Sequence, residues 1–345
     1  MKKIFTTVCA SAIILTSCSN DSLVSSAPPA AITYGVTAGN VSRAADSYST
    51  NNLPSSFKVW AVTPGATSAF IDGHTIERKG NNSWEDSSGP KYWPASSLDF
   101  FAVVNDGGTF SLNGGSPKLN NFTVKPNASE QTDVLYAVAY GCTVAKPNVP
   151  INFNHALAQV GFKAVCSNAS LSVVVRSVTV GHVGGKATFT FPASEEAQGS
   201  WTATTDIAAY TVALEPAIEV GATVTNLTCA ASNDVSKVLT LIPQSVNAWN
   251  PKEPGSDYNG AYFLVDCKIT NKTTSATLRD GQIAIPVEIK WEAGKRYVYT
   301  FTFSSHTGGY SPHPDKPDPV FVPIGYNVEV DDFAPATDGD MSPTV

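Results

Sequence analysis

The stretch Gln282-Ile283-Ala284-Ile285-Pro286-Val287-Glu288-Ile289-Lys290-Trp291-Glu292-Ala293-Gly294-Lys295-Arg296-Tyr297-Val298-Tyr299-Thr300-Phe301-Thr302-Phe303 decides the architecture. Ile283, Ile285, Val287, Ile289 and Trp291 occupy alternate positions, and the alternation resumes at Tyr297, Tyr299, Phe301 and Phe303. A sustained period of two marks half-buried antiparallel strands, because successive side chains leave opposite faces of the pleat. The short connection Glu292-Ala293-Gly294-Lys295 predicts that the two runs pair as a hairpin. Upstream, Ala261, Phe263, Val265, Cys267 and Ile269 share one face. Downstream, Val320, Val322, Ile324, Tyr326, Val328 and Val330 do the same.

The first half carries the same signal in shorter pieces. Ile32, Tyr34, Val36 and Ala38 alternate with small polar residues and predict a first strand. Further strands are expected at 57–62, 98–104, 133–140, 162–166, 171–180 and 186–191, each bounded by Gly, Pro, Asn or Ser. Phe153, Leu157 and Val160 have helical spacing, which predicts a turn or two of helix over 154–160, stopped by Gly161. Between Pro192 and Trp201 the pattern is interrupted by Ser, Glu, Gln and Gly. The chain therefore reads as all-β, two antiparallel β-sandwich domains in tandem, at 44–195 and 196–345.

Composition agrees. Of 345 residues only 15% are charged, against roughly 25% in ordinary soluble domains, while Gly and Pro number 25 and 23. Such a chain is neither a coiled coil nor a charged disordered tail. With 22 Lys and Arg against 29 Asp and Glu, its formal charge is −7, so no nucleic-acid partner is expected.

Met1-Lys2-Lys3 followed by the apolar run to Leu15 reads as a signal peptide, residues 1–17, too short to span a bilayer. Leu15-Thr16-Ser17-Cys18 resembles a bacterial lipobox, which implies acylation of Cys18 and anchoring to outer-membrane lipid; Ser19 in the next position fits that membrane. Residues 19–31 then read as a Ser-, Ala- and Pro-rich tether. The four remaining mature cysteines, Cys142, Cys166, Cys229 and Cys267, permit three disulfide connectivities. Cys142–Cys166 with Cys229–Cys267 puts one bond in each half, and four buried free thiols is the other reading.

Catalytic and cofactor chemistry is absent from the pattern. The five histidines form no HExxH and no i,i+4 pair, no GxSxG occurs, and the Gly-Gly pairs lack a phosphate-loop context. No enzymatic activity, metal or cofactor is expected. Trp84 and Trp93, flanking a polar loop, are the aromatic residues best placed to stack on a sugar, against a plain packing role.

Several segments together resemble the fimbrillin family of Bacteroidales. They are Trp84 with Lys91-Tyr92-Trp93-Pro94, Leu98-Asp99-Phe100-Phe101-Ala102, Gln131-Thr132-Asp133-Val134-Leu135-Tyr136-Ala137, and Ile151-Asn152-Phe153-Asn154-His155-Ala156-Leu157-Ala158. Leu241-Ile242-Pro243-Gln244, Trp291 to Tyr299, and Tyr326 to Phe333 continue the likeness. The resemblance implies two transthyretin-like β-sandwiches in a lipoprotein precursor that is cut by an arginine-specific protease and polymerised by strand exchange. The matching site is Arg43-Ala44, in Asn40-Val41-Ser42-Arg43-Ala44-Ala45, where Ser42 replaces the family's more usual Thr. Residues 18–43, the lipidated tether and first strand, would be removed by the cut.

On that resemblance the expected role is a structural subunit of a cell-surface pilus, supporting adhesion to a host or bacterial receptor. Its partners would be further copies of itself or related pilins, joined head to tail. The donor strand would be 320–330, with Val320, Val322, Ile324, Tyr326, Val328 and Val330 as its apolar set. The alternatives are a tip or anchor subunit, or a cell-surface glycan-binding lipoprotein.

Overall fold

The computed structural model describes residues 29–38, 53–80, 83–112, 116–203, 206–228, 238–304, 308–320 and 324–332. In chain order the first strands are β1 (Thr33–Ala38), β2 (Ser56–Val62), β3 (Ile71–Arg78), β4 (Trp84–Asp86), β5 (Leu98–Val104), β6 (Thr109–Ser111) and β7 (Lys118–Thr123). Next come β8 (Leu135–Cys142), β9 (Asn148–His155), β10 (Ala158–Cys166), β11 (Leu171–Gly184), β12 (Lys186–Thr190), β13 (Ser200–Ala203) and β14 (Ile207–Val220). The last are β15 (Thr225–Asn226), β16 (Leu239–Leu241), β17 (Ser245–Val246), β18 (Tyr262–Asn271), β19 (Thr277–Pro286), β20 (Ile289–Lys290), β21 (Lys295–Phe303) and β22 (Ile324–Asp332). Helix among the described residues is one 3-10 turn, Ala128–Glu130. The all-β expectation holds.

Two pairs of sheets carry the fold. In the first, a seven-stranded sheet in the order β1-β9-β8-β5-β2-β3-β4 faces the four-stranded sheet β13-β12-β7-β6. Its central strands are buried on both faces, so alternate residues serve two cores. Trp60, Phe101 and Tyr136 pack with Phe122, Phe189 and Phe191, while Phe57, Phe100 and Phe153 pack on the opposite side with Tyr34, Trp84 and Trp93. In the second pair, β15-β10-β21-β22, with β16 beside β10, faces β14-β11-β18-β19. There Phe162 meets Phe263 edge-on at 5.6 Å and stacks on Phe301 at 5.9 Å.

Three expectations need correction. No helix occupies 154–160: β9 ends at His155 and β10 begins at Ala158. Ala156 and Leu157, both fully buried, are the crossing from one sheet pair to the other. Phe153 and Leu157 therefore serve different cores, and their helical spacing is coincidence. Nor do 283–291 and 297–303 form a hairpin. Pro286 ends β19, which pairs with β18, and Gly294 turns the chain at φ +72° so that β21 lies parallel to β10 in the opposite sheet. A turn that joins two facing sheets carries the same residues as one that joins two neighbouring strands. Finally, the strand expected at 320–330 starts at Ile324; Val320 lies before it, its N–H bonded to Gly309 O at 3.1 Å.

The pairing also interleaves the halves. β10 and β11 join the second sheet pair, β12 and β13 return to the first, and β14 goes back to the second. The expected boundary at 195/196 falls in the connection between β12 and β13, both of which belong with β7.

Candidate functional site

Two sheet edges matter, because an edge strand carries unpaired backbone groups and can be exchanged. The first is β1, at one end of the seven-stranded sheet. It pairs in parallel with β9, from Thr33 opposite Asn148 to Ala38 opposite Phe153. Its start is stitched on both sides: Ile32 N donates to Lys91 O at 2.8 Å and Thr33 N to Pro147 O at 3.1 Å. Trp93 N in turn donates to Ala30 O at 3.0 Å. Period two sends Ile32 and Tyr34 inward, both buried, with the Tyr34 ring edge-on to Phe57 at 6.1 Å and to Phe100 at 6.4 Å. Sealed there, the Tyr34 hydroxyl has no hydrogen-bond partner. Burial, helped by the Asp86 carboxylate, pushes its ionisation well above the usual tyrosine range.

The second edge is β22. It is antiparallel to β21, with Ile324 opposite Phe303, Tyr326 opposite Phe301, Val328 opposite Tyr299 and Val330 opposite Tyr297. Its apolar side chains thus lie on the core face, yet cover runs out along the strand. Ile324 is 1% exposed, Tyr326 37%, Val328 38% and Val330 51%. The facing sheet reaches Tyr326, whose ring lies 6.0 Å from Phe263. On the polar face Glu329 meets Lys163 at 3.4 Å, an exposed carboxylate on a mostly buried ammonium stem.

The remaining candidates divide clearly. Cys18, Arg43, Ala44, Cys229 and Val322 lie outside the described residues. Cys142, Cys166 and Cys267 are free thiols, so the expected Cys142–Cys166 bond is absent and Cys267 is unbonded. Cys166 sits in the larger core, whereas Cys142 packs against the smaller one. Burial pushes the Cys142 thiol up to about 11, with Glu195 and Asp99 adding to the effect. Burial likewise pushes Cys267 up to about 12, so both are poor nucleophiles. Trp84 and Trp93 are core residues, packed on Phe57 and Phe100, and offer no exposed ring for a sugar.

Two features escaped the sequence. One is the buried contact of Asp133 Oδ2 with His155 Nδ1 at the crossing between sheet pairs. The other is the pair of parallel ladders, β1–β9 and β10–β21, which join segments more than a hundred residues apart and leave no local signal. Among the described residues no group of His, Cys, Asp and Glu could hold a metal, and no helix is long and apolar enough to cross a membrane.

A fimbrial protein of Bacteroides vulgatus is similar in structure, with a TM-score of 0.58 at 16% identity, over 86% of this chain and 98% of that one. That likeness is one of fold.

 The fimbrial anchor protein Mfa2 of Porphyromonas gingivalis aligns at a TM-score of 0.35 and 10% identity, over 87% of this chain and 99% of that one. The tip fimbrial protein Mfa3 of the same organism aligns at a TM-score of 0.39, also at 10% identity, over 87% of this chain and 99% of that one. A comparison with curated proteins gave no match. The sequence profile of the fimbrillin-like family matches residues 42–311, well over half of the chain. With a match of that extent, on an all-β fold shared with a fimbrial protein, the chain belongs to the fimbrillin-like family.

Proposed function

We propose that the chain is a structural subunit of a cell-surface pilus, exported as a lipoprotein through Cys18 to the outer membrane and assembled by strand exchange after an arginine-specific protease cuts at Arg43-Ala44. The observation that carries this reading is the contrast between the two edges. β1 seals a core with Ile32 and Tyr34, whereas β22 holds Tyr326, Val328 and Val330 only half covered. Loss of β1 would bare the β9 edge and apolar core together, and both faults are costly. An incoming β22 from another copy would correct both by β-augmentation. Head-to-tail repetition of that contact does not close and so gives a fibre.

The energetics favour the exchange modestly. One ladder replaces another, and the surplus comes from covering three half-exposed apolar side chains, on the order of 1 kcal/mol each. Arg43→Ala should give a folded surface lipoprotein that forms no polymer. A chain ending before Ile324 should still be cut but unable to donate. Electron microscopy and denaturant-resistant ladders on gels read both variants against wild type. Ladders of normal length from Arg43→Ala would overturn the gate assigned to β1.

A further inference from the structure

A third edge, β14, runs from Ile207 to Val220, pairs only with β11 and ends the sheet β14-β11-β18-β19. In an antiparallel ladder every second residue turns its N–H and C=O away from the partner strand. Between Ala208 and Ala217 none of these groups bonds anything but β11 among the described residues. Free edges are ordinarily guarded by shortness, charge, proline or a bulge. β4, β6 and β13 have three, three and four residues. β19 carries Arg279 and Asp280 and is bridged at Ala284 by Tyr310, while β22 carries Glu329, Asp331 and Asp332. β14 instead opens with Ile207-Ala208-Ala209-Tyr210-Thr211-Val212-Ala213-Leu214, which holds no charge and no proline. The extra residue beside this stretch, His182, belongs to β11. Tyr210, Val212 and Leu214 are buried in the core and hold the strand in place. Ile207, Ala209, Thr211 and Ala213 are exposed on the outer face.

We propose that this edge pairs with the same edge of a second copy, antiparallel about a two-fold axis at Tyr210, and joins two four-stranded sheets into one. That register sets Ile207 opposite Ala213 of the second copy and Ala209 opposite Thr211, small or apolar on small or apolar. No acidic residue meets another, since Asp206 falls opposite Leu214. Two copies of net charge −7 repel over most of their surface, so an uncharged strip that matches itself is where they can meet. The contact is isologous and closes at two copies. It leaves β1 and β22 seated, so it is independent of strand exchange. One strand pairing lies at the small end of specific interfaces, below about 1,200 Å2, and the dimer should therefore build up with concentration.

The test uses the full chain carrying Arg43→Ala and Cys18→Ala, which keeps strand exchange and acylation out of the reading. Sedimentation equilibrium should show the mass rising from one chain to two, and no further, across the micromolar to submillimolar range. Ala209→Lys together with Ala213→Lys puts four ammonium groups on the joint ladder and should weaken dimerisation more than tenfold. Both positions are exposed, so the urea midpoint in dilute solution should not move. Ala209→Glu with Ala213→Glu should act in the same way, and mixing the two variants should restore a dimer with one copy of each. A monomer at every concentration, growth beyond two copies, a lysine variant that dimerises like the parent chain, or no rescue on mixing would each overturn the proposal.

Discussion

β1 and β22 are both edge strands with one long ladder and an apolar set at every second position, yet they are held in opposite ways. The inward residues of β1 lie in an aromatic core, and its start is bonded on both sides. β22 is anchored at Ile324 and grows more exposed with each step toward Val330. Alternation alone thus says that a strand has an apolar face, not whether anything covers it. An exposed apolar edge is ordinarily a liability, so its presence in β22 points to a use.

The sharpest way to break the comparison is to put the same charge into both strands. Tyr34→Asp would bury an unpaired carboxylate and empty an aromatic site, costing on the order of 4 kcal/mol or more. Val330→Asp, at a half-exposed position, should change stability by less than about 0.5 kcal/mol. Urea unfolding of the two variants measures this directly. Equal losses would mean that the edges are held alike.

A second test asks where β22 is anchored. Ile324→Ala removes its one fully buried side chain and should cost about 2–5 kcal/mol, while Val330→Ala should cost under about 1 kcal/mol, since little of its area is withdrawn from water. Hydrogen exchange should then show β22 amides opening in Ile324→Ala while β1 amides stay protected. Protection retained along β22 would place its anchor elsewhere.

How much of this was legible in the sequence depends on how local the physics is. Strands such as β2 and β5 follow from alternation and bounding turn residues, and both appear where expected. The inward set of β1 was legible for the same reason. The partners were not: β21 lies beside β10, far away in sequence, because Gly294 and Pro286 route the chain between sheets rather than back along one. The cysteine pairing failed because spacing says nothing of which core a side chain enters, and Cys142 and Cys166 enter different ones. Trp84 and Trp93 look like exposed loop aromatics only until the short strand at 84–86 and the segment beside Ala30 fold them inward.

A smaller effect than the loss of either anchor concerns Tyr34, where the tight edge carries a flaw. Its hydroxyl is buried without a partner, an arrangement that costs about 1–3 kcal/mol relative to a satisfied group. Tyr34→Phe keeps the ring against Phe57 and Phe100 and removes the unsatisfied oxygen, so it should stabilise the chain by about 1 kcal/mol. The same change has a pH signature. The folded-state pKa of Tyr34 lies above its unfolded value, so the stability linked to the neutral hydroxyl is fully present below about pH 10 and is lost as pH rises beyond it. Wild type should therefore lose more stability than Tyr34→Phe between neutral and strongly alkaline pH, and the gap between the two should widen with pH. Urea midpoints measured across that range decide the matter. A variant less stable than wild type at neutral pH, or a gap that stays constant, would show that the hydroxyl finds a partner in solution. In the assembly reading, the same substitution should slow the departure of β1 from its seat, which ties a small stability change at one hydroxyl to the step that gates the polymer.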